Sequence, residues 1–199
     1  ALQPPRDDLG EVIKENIKTL PERSVLVVTS KAVSIGEGRC IKIESVLDKD
    51  ALVKDEADRY VDLKHPLSDS IMLTIKHNIL IPFAGIDESN GNEHYILYPK
   101  DPKESAKQIH KWLQDTYVVK EVGVVISDST MLPLRRGTIG VALASWGFLP
   151  VNDYRDKPDL FNRPAKFSWL GVADGLAAAA TLAMGEGDES TPLAIVTGD

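Results

Sequence analysis

With 199 residues, 43% of them apolar and 27% charged, the chain has enough hydrophobic material for a packed core and reads as one domain over 1–199. A formal charge of -7, with no Lys/Arg cluster larger than a pair such as Arg135-Arg136, excludes nucleic acid as an expected partner. The single Cys40 excludes an intrachain disulfide and a Cys/His zinc site, so a reducing, cytoplasmic setting is expected.

The opening Ala1–Gly10 is proline-rich and acidic, without the apolar stretch of a signal peptide. Asp7 and Asp8 precede Leu9, Val12, Ile13, Ile17 and Leu20, a helical stripe that predicts an amphipathic helix ending near Pro21. Ser24–Ser30 is a β-branched run, read as a buried strand entering a loop at Lys31, with Gly36-Glu37-Gly38 as a turn. Asp48–Lys64 is charged and weakly helical in period. Ile71–Ile75 and Ile79–Phe83 bracket Lys76-His77-Asn78, as in a tight hairpin or one bent strand, and both lead to Ala84-Gly85-Ile86-Asp87.

Asp101-Pro102-Lys103-Glu104 reads as a helix start with Asp as cap and Glu104 reaching back, and Ala106, Ile109, Trp112 and Leu113 form its buried face. Val122–Ile126 predicts a strand buried on both sides, ending in a polar loop at Ser127-Asp128-Ser129. Thr138–Ala144 and Leu193–Val196 are further strands. Ser168–Gly185 is an Ala/Leu-rich helix with Ser168 as cap; its apolar run is too short for a membrane span and carries Asp174. Helices and strands are interspersed without strict alternation, so the expected class is α+β, with mixed sheets and packed helices.

Asp87 and Asp128 each stand where an apolar run gives way to small polar residues. Brought together, two such carboxylates suit Mg²⁺ or Mn²⁺, which take oxygen ligands and share them with substrate phosphates; kept apart, each simply caps a turn. No GxxxxGK[ST] or GxGxxG occurs, so a phosphate would be held in another way. Gly36-Glu37-Gly38 and Gly185-Glu186-Gly187 could offer amides to an anion or serve as plain turns. Arg135 and Arg136 follow Asp128 closely enough along the chain to clamp a phosphate, or they form a solvated pair. His65, His77, His94 and His110 show no paired spacing, and Cys40 has no evident base partner.

Six ordered segments carry a resemblance. SKAVSIGEGR (Ser30–Arg39), AGIDESN (Ala84–Asn90), YPKDPKESA (Tyr98–Ala106), VVISDST (Val124–Thr130), PLRRGTIGVAL (Pro133–Leu143) and VADGLAAAATLAMGE (Val172–Glu186) resemble the coenzyme F420-0:L-glutamate ligase family. The resemblance implies a GTP-dependent amide ligase that adds L-glutamate to the lactyl carboxylate of F420-0, then extends it through a γ-linkage. It further implies two Mg²⁺ or Mn²⁺ per site with K⁺ assisting, an anionic small-molecule acceptor, and a homodimer with sites close to the subunit interface.

By the same resemblance, Asp87 and Asp128 match shared ligands of one metal, Ser129 stands where the family usually has a Thr serving a second, and Glu186 matches the remaining ligand position of that second metal. Ser30, Lys31 and Asn90 match nucleotide contacts. Met184–Thr191, with Gly185, Glu186, Gly187 and Asp188, matches the nucleotide-binding loop. Arg135 is the candidate clamp for a phosphate or substrate carboxylate. The chain departs from the pattern at Ile35, where the family commonly has Lys, at Leu132, and at Gly175. These departures leave a different acceptor, such as a folate, or an inactive nucleotide- and metal-binding paralogue as alternatives. Against the family pattern the chain opens within the first nucleotide-contacting segment and closes just after the last strand, so flanking residues are expected at both ends.

Overall fold

A computed structural model describes residues 2–61 and 71–198; Asp62–Lys64, at the end of the weakly helical stretch, and His65 lie outside the described residues. Asp8 caps α1 (Leu9–Asn16), its carboxylate accepting from the Glu11 amide at 3.1 Å. The helix stops at Asn16 rather than near Pro21, because the Asn16 and Lys18 side chains donate to the Val12 and Lys14 carbonyls of its last turn. Ile17 and Leu20 still reach the core, from chain beyond the helix.

β1 (Ser24–Thr29) runs straight into α2 (Ser30–Glu37), where the glycines had suggested a loop. Thr29 caps the helix through the Ala32 amide, and Gly38 ends it at φ 70, a left-handed conformation that suits glycine. β2 (Cys40–Lys42), α3 (Lys49–Glu56, capped by Asp48) and β3 (Arg59–Val61) follow. β4 (Leu73–Lys76) and β5 (Ile79–Pro82) form a hairpin, not a bent strand: His77 and Asn78 both take positive φ, 51 and 64, as a two-residue turn of matching twist requires.

After one 3₁₀ turn at Phe83–Gly85 come β6 (His94–Ile96) and α4 (Pro102–Tyr117). Asp101 caps α4 through the Glu104 amide at 3.0 Å, but the Glu104 carboxylate turns outward to Lys107 and Gln108 instead of reaching back. β7 (Val122–Met131) passes through Ser127-Asp128-Ser129 without becoming a loop, and β8 (Thr138–Trp146) returns alongside it. β9 (Val151–Asp153), β10 (Trp169–Gly171), α5 (Val172–Met184) and β11 (Leu193–Val196) complete the chain. Ser168 caps nothing. It precedes β10, its carbonyl accepts from the Tyr154 amide, and Gly171 holds the cap position of α5.

The main sheet has the order β11-β1-β7-β8, with β1 and β7 parallel and both outer pairs antiparallel. Strand alternation divides its core. Leu26, Val28, Val124 and Ile126 face α1, α2 and α4, while Val27 and Val125 face Ala177, Ala180 and Met184 of α5. A second core gathers Val53, Met72, Ala84, Ile86, Tyr95 and Leu97 around α3, β6 and the β4–β5 hairpin. Mixed sheets with packed helices are the expected α+β class. Among the described residues no helix is long and apolar enough to cross a membrane.

Candidate active site

The two cores meet at the carboxylates. The β7–β8 register slips between Ile126 and Ser127, where β8 carries one extra residue, Leu143; this bulge lets β7 run on past its apolar part. Alternation along β7 then sends Asp128 toward α2 and Ser129 toward the end of α5. Ser30, the first residue of α2, donates to Asp128 Oδ1 at 3.1 Å, and the Tyr98 hydroxyl donates to Oδ2. Burial pushes the Asp128 carboxyl up to about 6, against the hydrogen bonds from Tyr98, the Ser129 amide and Ser30, and the charge of Asp87 adds to the rise.

Asp87 comes from the other core. Its backbone bridges Ile96, and its Oδ2 accepts from Lys31 Nζ at 2.8 Å while Oδ1 accepts from the Ser89 amide at 2.7 Å. Burial raises this carboxyl, but Lys31 and Ser89 outweigh it and hold Asp87 below the usual carboxylate range. The two carboxylates therefore feel each other while differing in character: one is paired with an ammonium, the other sits in a partly buried nest of hydroxyls. Lys31 also donates to the Ser89 carbonyl at 2.7 Å and to its hydroxyl at 3.0 Å.

On the α5 side, the Ser129 hydroxyl donates to Glu186. The loop after α5 begins at Gly185, whose φ of 81 strains any other residue and whose Cα lies against the Glu189 carboxylate. Glu189 accepts from the Gly187 amide at 2.7 Å, Thr191 donates to the Met184 carbonyl, and Asn90 Nδ2 donates to the Gly187 carbonyl at 3.2 Å. Asp188 is exposed within this loop. Asn90 thus ties the Met184–Thr191 segment to the loop that bears Asp87, and Ser30, Lys31, Asp87, Asn90, Asp128, Ser129 and Glu186 form one continuous polar surface.

Arg135 is not part of it. It lies at the exposed tip between β7 and β8, and Asp128 to Met131 alone spans about 10 Å of extended chain. Ile35 is buried, 3% exposed, so a lysine at this position of α2 would have to bury its charge. The histidines play other parts: His94 Nδ1 meets the Asn92 carbonyl, and His110 lies half-buried under Gly147. Burial raises the Cys40 thiol, the opposite of what a nucleophile needs. Tyr98 is the residue the sequence reading missed. Its only local signal is a tyrosine at the end of a buried run, where its hydroxyl must find a partner.

The donor set of Asp87, Asp128, Ser129 and Glu186 is all oxygen, the chemistry that Mg²⁺ and Mn²⁺ prefer. Among the described residues no three His, Cys, Asp or Glu side chains gather into a closed cage.

The model of the F420-0:gamma-glutamyl ligase family matches residues 3–198. Coenzyme F420:L-glutamate ligase of Methanopyrus kandleri is 34% identical, the alignment covering 98% of this chain and 82% of that protein. The protein of the same name from Methanocaldococcus jannaschii is 33% identical over 89% of this chain and 68% of its own length. That of Methanothermobacter thermautotrophicus is 32% identical over 96% and 83%. With the match running through every segment that builds the carboxylate surface, the chain belongs to the F420-0:gamma-glutamyl ligase family.

Proposed function

We propose that this chain is a ligase that joins L-glutamate to a carboxylate acceptor, coenzyme F420-0 or a close analogue, using GTP. The names of its relatives support the reaction class, and the reading is carried by adjacent residues of α2, Ser30 bonded to Asp128 and Lys31 paired with Asp87. A carboxylate is a poor acyl donor. An acceptor oxygen therefore attacks the γ-phosphorus and GDP leaves; the glutamate nitrogen then attacks the acyl carbon, and phosphate departs as the amine loses a proton.

In this reading Ser30, Lys31, Asn90 and the Met184–Thr191 loop hold the nucleotide. Asp87 and Asp128 hold one divalent cation, and Ser129 with Glu186 a second. Such cations supply neutralisation of charge on the transferred phosphoryl group. Lys31, already aimed between Asp87 and Ser89, is placed to follow a phosphate oxygen. Arg135 serves anionic substrates at the outer rim. The chain acts as a homodimer, a reading supported by the outward-facing Leu134, Leu149, Leu160, Phe161, Phe167 and Trp169 near the β7–β8 tip and the β9–β10 ribbon.

The test is incubation with GTP, Mn²⁺, labelled glutamate and a panel of acceptors that includes F420-0 and a folate, read by product mass. Glutamylated F420-0 is expected, and Asp128→Asn should cut turnover by about 100-fold or more. Product from the folate alone would change the acceptor, and no product from any acceptor would overturn the reading in favour of an inactive paralogue.

A further inference from the structure

Tyr98 has no part in the chemistry above, yet it touches both halves of the site. The segment from β6 to Tyr98 anchors each carboxylate in turn. At Ile96 it pairs with the Asp87 backbone in both directions, Asp87 N to Ile96 O at 2.9 Å and Ile96 N to Asp87 O at 2.8 Å. Two residues on, the Tyr98 hydroxyl reaches Asp128 Oδ2.

The ring itself is fixed. Tyr98 is 2% exposed, and its ring lies against Gly85, where φ is 72 and a Cβ would overlap the aromatic carbons. His77 stacks on it at 6.3 Å and 20°, with its own Nε2 held at the Pro99 carbonyl, 3.2 Å away. Gly85 stands two residues before Asp87, so the packing that seats the phenol also seats the loop bearing the other carboxylate.

A carboxylate oxygen has about two acceptor directions. With Tyr98 on Oδ2, Ser30 on Oδ1 and the Ser129 amide donating to the same carboxylate, Asp128 is locked in rotation and keeps about one of its four acceptor directions open. We propose that Tyr98 is a positioning residue that fixes the orientation of the Asp128 carboxylate and its spacing from Asp87, and so sets how tightly the pair holds a divalent cation. This rests on the metal reading given above. Outer partners that orient metal ligands typically contribute 10- to 100-fold in affinity.

The experiment measures Mn²⁺ binding to the full chain by electron paramagnetic resonance, without nucleotide and again with a non-hydrolysable GTP analogue. It compares wild type, Tyr98→Phe, Asp128→Asn and a chain carrying 3-fluorotyrosine at 98. Phenylalanine keeps the ring against Gly85 and His77, so circular dichroism and Tm should stay close to wild type. The expected result is Mn²⁺ affinity about 10- to 100-fold weaker in Tyr98→Phe, unchanged metal-free nucleotide affinity, and near-wild-type Mn²⁺ binding with fluorotyrosine, which keeps the donor. If Asp128→Asn loses Mn²⁺ while Tyr98→Phe binds as wild type does, or if fluorotyrosine falls as far as phenylalanine, the role of Tyr98 is overturned and the metal reading stands. If wild type binds Mn²⁺ no better than Asp128→Asn in either condition, the metal reading falls and takes this inference with it.

Discussion

Around Asp87 and Asp128 each carboxylate oxygen has a donor, from Lys31, the Ser89 amide, Ser30 or Tyr98, whereas along the β7–β8 tip and the β9–β10 ribbon Leu134, Phe161, Phe167 and Trp169 face outward. The ribbon is locally ordered even so. Arg155 forks onto Asp153, with Nη2 at 2.6 Å from Oδ2, and lies over the Trp169 ring at 4.6 Å. What it lacks is cover. The contrast separates two kinds of environment: the carboxylate centre is internally satisfied by hydrogen bonds, while the ribbon leaves apolar area open to water.

Loading the centre with a misplaced charge gives the largest effect. Ile35→Lys buries an ammonium within α2 and should cost about 3 kcal/mol or more, read by urea unfolding. It should not tighten GTP binding, because the position faces the protein interior; a stable variant with improved GTP affinity would break the picture of a finished centre.

Next comes the pH dependence of the metal-free protein. The Asp128 carboxyl is raised from 3.8 to about 6, so the folded chain holds its proton more tightly than the unfolded chain does. Its contribution is fully present below about pH 4 and is lost as pH rises through about 6, by at most about 3 kcal/mol. Unfolding in chelator across that window should show the decline, and Asp128→Asn should lack it.

The tip and the ribbon are probed together by Leu134→Glu combined with Phe167→Glu. If a second copy covers these side chains, sedimentation should shift from dimer toward monomer, with about 2 kcal/mol or more lost from association. The monomer's secondary structure should not change, since both positions are already exposed. A monomeric wild type would remove the second copy from the comparison. The smallest effect belongs to Gly175, an exposed position inside α5 where an added Cβ meets nothing within 4 Å. Gly175→Ala should stabilise by about 0.5–1 kcal/mol in thermal melts.

What is legible in the sequence follows from how local its cause is. The start of α4 is readable at Asp101-Pro102 because capping involves neighbours, and the His77-Asn78 hairpin because the apolar runs flank it directly. The continuation of β7 is hidden: Ser127–Thr130 has loop composition, and only pairing with β8, with its extra residue at Leu143, keeps it extended. Helix α2 is hidden for the opposite reason, since Gly36 and Gly38 advertise a turn although Thr29 caps a helix before them. Asp87 and Asp128 are visible as acidic ends of apolar runs. Their approach is not, nor is Tyr98, because the contacts that bring them together cross between two cores. Proximity along the chain suggests Arg135 as a clamp for a phosphate at Asp128, but an extended strand carries it outward instead.

The ammonium of Lys31 has a final consequence. It rests on Asp87 Oδ2 and on both oxygens of Ser89, so a cation approaching Asp87 would meet a resident positive charge already in place. A cation that took the second direction of this oxygen would stand against the lysine's charge, and displacing the lysine would make uptake an exchange of one positive charge for another rather than a simple addition. A displaced lysine would stay tethered beside the same carboxylate, within reach of any anion bound there.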